Sequence, residues 1–102
     1  MAKRAQIKIP KKKIEEFCRK NHIRKLSFFG SFLREDFGPD SDLDILVEFE
    51  PGQKVGFLKF AGMERELTDI FNHKVDLRTP VELSRYFMQE VLESAEVQYA
   101  QG

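Results

Sequence analysis

Residues 26–49 read LSFFGSFLREDFGPDSDLDILVEF, and the fold turns on this stretch. Its left end, Lys25 to Phe29, is a short apolar run rich in phenylalanine that stops at Gly30-Ser31. That pattern predicts a buried strand leaving into a sharp turn. Its right end alternates. Leu43, Ile45, Val47 and Phe49 point one way, and Asp42, Asp44, Leu46 and Glu48 point the other, which is the period of a strand. Between the two, Ser31 to about Asp36 predicts a short helix, and Phe37-Gly38-Pro39-Asp40 predicts a loop from its turn residues.

Further out, Pro10 suits a helix opening, and Ile14, Phe17 and Cys18 recur at helical spacing as far as about Asn21. On the other side Pro51-Gly52 ends the alternating strand. Phe57, Phe60, Met63, Leu67, Ile70 and Phe71 then keep helical spacing in the longest expected element, and Lys74 to Leu77 predicts a third strand. Thr79-Pro80-Val81-Glu82 is a helix start: Thr79 caps, Pro80 suits the first turn, and Glu82 reaches back to the Thr79 amide. Leu83, Phe87, Val91 and Ala95 mark the inward face of that helix, with a break expected near Tyr86. The order is helix, strand, short helix, strand, helix, strand, helix, hence an α+β (α/β) fold with a small sheet. There are no repeats and no low-complexity linker. The expectation is a single domain spanning 1–102, with residues 1–10 as a frayed basic arm.

Composition narrows the class of protein. Hydrophobic residues are 41% and charged residues 33%, which suits a globular protein, and no apolar run approaches the roughly 20 residues of a membrane helix. Residues 1–13 lack the apolar stretch of a signal peptide. With one cysteine, Cys18, neither an internal disulfide nor a paired-cysteine zinc site forms. A reducing, cytoplasmic setting is expected. The net charge of zero conceals an asymmetry: residues 1–25 hold ten Lys or Arg against two Glu, and the remainder seven against fifteen acidic residues. A solvated arm and helix face explains the basic stretch more simply than a phosphate-binding or acidic-partner surface does.

The chemistry concentrates at Gly30-Ser31, Ser41-Asp42-Leu43-Asp44 and Val75-Asp76-Leu77. Asp42 and Asp44, two apart on a strand, project from one face with Cα atoms about 7 Å apart. Side-by-side like charges repel and add nothing to a core, but they are the hard oxygen ligands that Mg²⁺ prefers. Asp76 must face away from Val75 and Leu77; if its strand neighbours the second one, all three carboxylates converge. Such a triad can hold two metal ions for in-line displacement at phosphorus. Gly30-Ser31 suits the phosphate end, because a glycine leaving a strand admits close backbone approach and amides at a helix start attract an anion. Arg34 is a candidate for the phosphates or a loop-locking ion pair, and Ser41 for capping the turn that aims the carboxylates. Taken singly each feature has a plainer explanation: a turn for Gly30-Ser31, a solvated strand for Asp42 and Asp44, an edge-strand surface position for Asp76, a surface ion pair for Arg34.

The segments LSFFGSFLR (26–34) and PDSDLDILVEF (39–49), in that order and spacing, resemble the signature of the DNA polymerase β-type nucleotidyltransferase superfamily. In particular they are similar to the minimal nucleotidyltransferase (MNT) domains encoded beside HEPN-domain proteins in prokaryotic toxin–antitoxin pairs. The similarity continues through Lys74-Val75-Asp76-Leu77 and Thr79-Pro80, over roughly residues 23–95. It implies a mixed sheet flanked by helices, Asp42, Asp44 and Asp76 as metal ligands, and Gly30 and Ser31 as triphosphate contacts. It further implies transfer of AMP from ATP to a tyrosine of a HEPN-type toxin, with two Mg²⁺ ions (Mn²⁺ satisfies the same ligands). Glu35 and Asp36 stand where members often have glycine, and their charges would repel a triphosphate unless paired with Arg34.

Other residues have simpler expected roles. Cys18 belongs to the core, since no base is placed to activate it. His22 and His73, each near a helix end, are expected to cap. A chain of this length has no room for a region to hold an acceptor, so a partner chain is expected to bring it. Nucleic acid is not the expected direct partner, and a homo-oligomer is left open. The competing readings are a non-catalytic module that neutralises its partner by occlusion, and a transferase for a small molecule or an RNA end.

Overall fold

The computed structural model describes residues 9–33, 37, 38, 40–82 and 85–101. Helix α1 spans Lys11–Lys20, strand β1 Ile23–Phe29, β2 Leu43–Phe49, α2 Phe57–Phe71, β3 Val75–Arg78, α3 Arg85–Ser94 and β4 Glu96–Ala100, with short 3₁₀ turns at Gly30–Leu33 and Pro80–Glu82. The four strands form one mixed sheet in the order β3-β2-β1-β4. The β1–β2 and β1–β4 pairs are antiparallel and the β2–β3 pair is parallel. A parallel pair needs a long crossover, and α2 supplies it.

Helix α1 starts where Pro10 permits, with the Ile14 amide donating to the Pro10 carbonyl at 3.0 Å, and it buries Ile14, Phe17 and Cys18. Its end is local chemistry: the Asn21 side chain donates to the Phe17 carbonyl at 2.9 Å, and His22 turns the chain at φ 56°. His22 therefore does end the helix, through its backbone, while its ring lies 3.7 Å from Glu50. Asn72 closes α2 in the same left-handed conformation.

The core sits between the sheet and helices α1 and α2. Leu26 and Phe28 of β1, Leu43, Ile45 and Val47 of β2, and Val75 and Leu77 of β3 pack there against Phe17, Met63, Leu67 and Phe71. The opposite face has a smaller cluster of Phe29, Leu46 and Val91, with Ala95 against it. Because both faces of β1 and β2 are buried, β1 reads as a continuous apolar run in the sequence. The outer edge of β3 is closed by side chains of α2. The Val75 amide donates to Thr68 Oγ1 at 3.3 Å and the Leu77 amide to Glu64 Oε2 at 2.8 Å, which satisfies edge donors that would otherwise invite another strand.

Three elements depart from the sequence expectation. The short helix after β1 is a 3₁₀ turn at Gly30–Leu33, the rest of its expected span lying outside the described residues. The last helix is described from Arg85, and Pro80–Glu82 forms a 3₁₀ turn where its first turn was expected, with Leu83 outside the described residues. A fourth strand, absent from the expected order, follows Ala95.

Candidate active site

The turn after β1 and the starts of β2 and β3 meet in one row across the sheet. Asp44 pairs with Phe29 of β1 on one side and with Asp76 of β3 on the other. Directly paired residues share a face, so Asp44 and Asp76 stand side by side on the face away from the main core. Asp42 lies immediately before β2, beside Lys74 at the entrance to β3. Two unit charges ~5 Å apart repel by about 3 kcal/mol at an effective dielectric constant of ~20, so the row is a destabilising arrangement for a bare sheet. In this structure cations lie beside its ends. Lys74 Nζ is 3.9 Å from Asp42 Oδ1, and Arg78 Nε is 3.1 Å from Asp76 Oδ1.

Gly30 follows Phe29 at the end of the row. Its φ is +64°, and a Cβ there would stand 3.1 Å from Asp44 Cγ and closer still to Oδ2. Only glycine fits both the left-handed backbone and the contact. Ser31 sits next to it in the Gly30–Leu33 turn. Arg34 lies outside the described residues, as do Glu35 and Asp36, whose charges the sequence raised as a concern.

The loop that delivers Asp42 is held from two sides. The Ser41 hydroxyl accepts the Gly38 amide at 3.1 Å, and the Ser41 amide donates to the Gly38 carbonyl at 3.0 Å. His73 Nε2–H donates to the Ser41 carbonyl, while the ring stacks on Phe37 with centroids 5.2 Å apart. His73 thus joins the β3 entrance to the β2 entrance, where a capping ring was expected. A chain of edge-to-face rings continues beneath the site: Phe37–Phe32 at 5.3 Å, Phe32–Phe28 at 4.8 Å and Phe28–Phe71 at 5.4 Å. It connects the Gly30 turn, the loop before Asp42 and the end of α2. Each pair contributes ~0.5–1.5 kcal/mol beyond its buried area. Neither Phe37 nor His73 carries a sequence signal for this role, since each is defined by a partner far along the chain.

The three carboxylates offer the all-oxygen donor set that suits Mg²⁺ or Mn²⁺. Asp42, Asp44 and Asp76 therefore fit a divalent ion by donor chemistry, and the β2–β3 register sets Asp44 beside Asp76. Among the described residues, no three such side chains are gathered about one point. Cys18 takes no part. It is buried under the other face, and burial pushes its thiol up to about 12.

The small mixed sheet, with Asp44 and Asp76 paired beside a glycine turn, is the frame in which the family relationship is read. The nucleotidyltransferase domain model matches residues 11–98, and the chain belongs to that family. It is 40% identical over 55 residues to the protein adenylyltransferase MntA of Thermococcus cleftensis, covering 54% of each chain. Among solved structures, a toxin–antitoxin with AMP-PNP superposes with a TM-score of 0.72 at 20% identity, covering 91% of this chain and 75% of that one. A tri-AMPylated Shewanella oneidensis HEPN toxin in complex with its MNT antitoxin gives 0.65 at 19%, covering 89% and 70%. At those identities the structural likeness speaks for the fold. Among the described residues, no helix is long and apolar enough to cross a membrane.

Proposed function

We propose that this nucleotidyltransferase moves AMP from ATP to a tyrosine hydroxyl of a HEPN-type partner protein, acting as its antitoxin in a reducing cytoplasm. The observation that carries the reading is the row Gly30–Asp44–Asp76, with Asp42 immediately before β2. The protein adenylyltransferase MntA and the AMPylated HEPN toxin bound to its MNT antitoxin support a protein acceptor and a HEPN-type partner, and the AMP-PNP complex supports the nucleotide.

In the proposed reaction the acceptor oxygen attacks the α-phosphorus and forms a new P–O bond. The bond from that phosphorus to the α,β-bridging oxygen breaks, and pyrophosphate leaves with the electron pair. The hydroxyl proton passes to the Asp76 carboxylate. Gly30 and Ser31 hold the triphosphate, with Arg34 as a further phosphate contact. Ser41, bonded to Gly38 and held by His73, fixes the approach of Asp42. Asp42, Asp44 and Asp76 would hold one or two Mg²⁺ ions. Bound there, the metal offsets the charge of the triphosphate and lowers the pKa of the attacking hydroxyl. Most of the rate then comes from positioning and electrostatics, as in phosphoryl transfer generally.

The test is label transfer from α-³²P-ATP with Mg²⁺ to the HEPN-type protein of the same host, comparing the parent with Asp44→Asn. The parent should label the protein, and the variant should lose at least about 10³-fold while its melting temperature stays within a few degrees. A variant that transfers at the parent rate would remove Asp44 from the mechanism.

A further inference from the structure

A cleft of about 500 Å³ runs along the outer edge of β3, under the first turns of α2. Val55, Phe57, Phe60 and Leu77 give it apolar walls, and Asp76 and Arg78 lie at its sheet side. One lining residue, Phe57, belongs to an unusual pair. Phe57 is 83% exposed and Leu58 85%, two large apolar side chains in succession at the start of a helix. Scattered exposed apolar residues need no account, but an adjacent pair whose first member lines a cleft is a contact surface in the making.

In-line displacement gives the cleft its occupant. Attacking and leaving oxygens stand on opposite sides of the phosphorus. Across the row, Gly30 and Ser31 lie on the β1 side of Asp44, and Asp76 lies on the β3 side. With the leaving pyrophosphate toward the glycine turn, the acceptor has to arrive over β3, where this cleft opens. The lining charges among the described residues are Glu64, Asp76 and Arg78, a net negative set that opposes a nucleic-acid end. Apolar walls ending at polar groups match a phenol, which has an apolar ring and a hydroxyl tip.

We infer that this cleft is the acceptor subsite: Phe57 and Leu58 dock an apolar segment of the partner protein, and its tyrosyl ring lies between Val55, Phe60 and Leu77 with the hydroxyl toward Asp76. The inference rests on the proposed transferase activity and adds to it the surface that selects the acceptor.

Both residues of the pair are exposed, so their replacement does not disturb the core. Steady-state transfer from α-³²P-ATP to the HEPN-type protein is measured for the parent, Phe57→Ser/Leu58→Ser, and Val97→Ser, a half-exposed apolar residue on the far edge strand. The double variant should raise the KM for the acceptor protein at least 10-fold and leave the KM for ATP within 2-fold. Val97→Ser should change neither. An unchanged acceptor KM in the double variant overturns the inference, and so does AMP located by mass spectrometry on serine or on RNA. A parent that labels nothing overturns the transferase reading instead. The docking surface is then read from the Kd of the HEPN-type protein, and equal values for parent and double variant overturn it too.

Discussion

At the scale of single residues, Gly30 is the position with least freedom. Its φ of +64° costs a side-chain-bearing residue about 1–2 kcal/mol, and the added methyl would drive into the Asp44 carboxylate. Gly30→Ala should therefore lower the melting temperature by at least about 4 °C and reduce nucleotide transfer more than 100-fold, checked by thermal melts and the labelling assay. Retained transfer would mean that Asp44 can move aside and still function. Gly30, Asp42 and Asp44 were legible in the sequence because their placement is local: a strand end, then a period of two. His73 was not. Its ring bonds to Ser41, 32 residues away in sequence, and stacks on Phe37, and neither contact has a local pattern.

Among the elements, β3 is the one whose stability bears most directly on the site. It has four residues, lies at the sheet edge, and carries Asp76. Its exposed side is bonded by Thr68 and Glu64 of α2, which take the place of a fifth strand. Glu64→Ala should destabilise the protein by about 1–3 kcal/mol in urea unfolding, because the Leu77 amide loses its acceptor. Glu64→Gln, which keeps an acceptor oxygen, should lose less than half of that. Equal losses in the two variants would point to charge in place of hydrogen bonding. Strand β4, unlike β3, was illegible in the sequence. Val91 and Ala95 continue a helical stripe, and Glu96 to Ala100 is a short, half-exposed segment. Only the pairing of residues 25–28 with 96–100 turns it into a strand.

For the whole molecule, the core between the sheet, α1 and α2 sets the stability, and Cys18 reports on it. Burial raises its thiol from the ordinary value of 9.0 to about 12. Since the folded state holds this proton more tightly, the contribution is fully present below pH 9. It falls as pH rises from 9 toward 12, by at most about 1.4 kcal/mol per pH unit. Cys18→Ala should flatten that alkaline decline relative to the parent in denaturant midpoints measured from pH 8 to 11. Parallel curves would show that the thiolate is accommodated without unfolding.

Local spacing was enough for the strand–turn–strand unit around residues 26–49, the long helix α2, the third strand and the candidate acidic residues. All of these follow from spacing along a few neighbouring residues, where side-chain direction is dictated by the period of the backbone. Tertiary structure alone decided that β2 and β3 are parallel neighbours in the register that sets Asp44 against Asp76. It also decided that α2 guards the β3 edge, that His73 holds the loop before Asp42, and that Phe57 lines a cleft with Leu58 exposed beside it. Those facts depend on contacts between segments far apart in the chain, and no local pattern encodes which distant surface a side chain will meet once the core has closed.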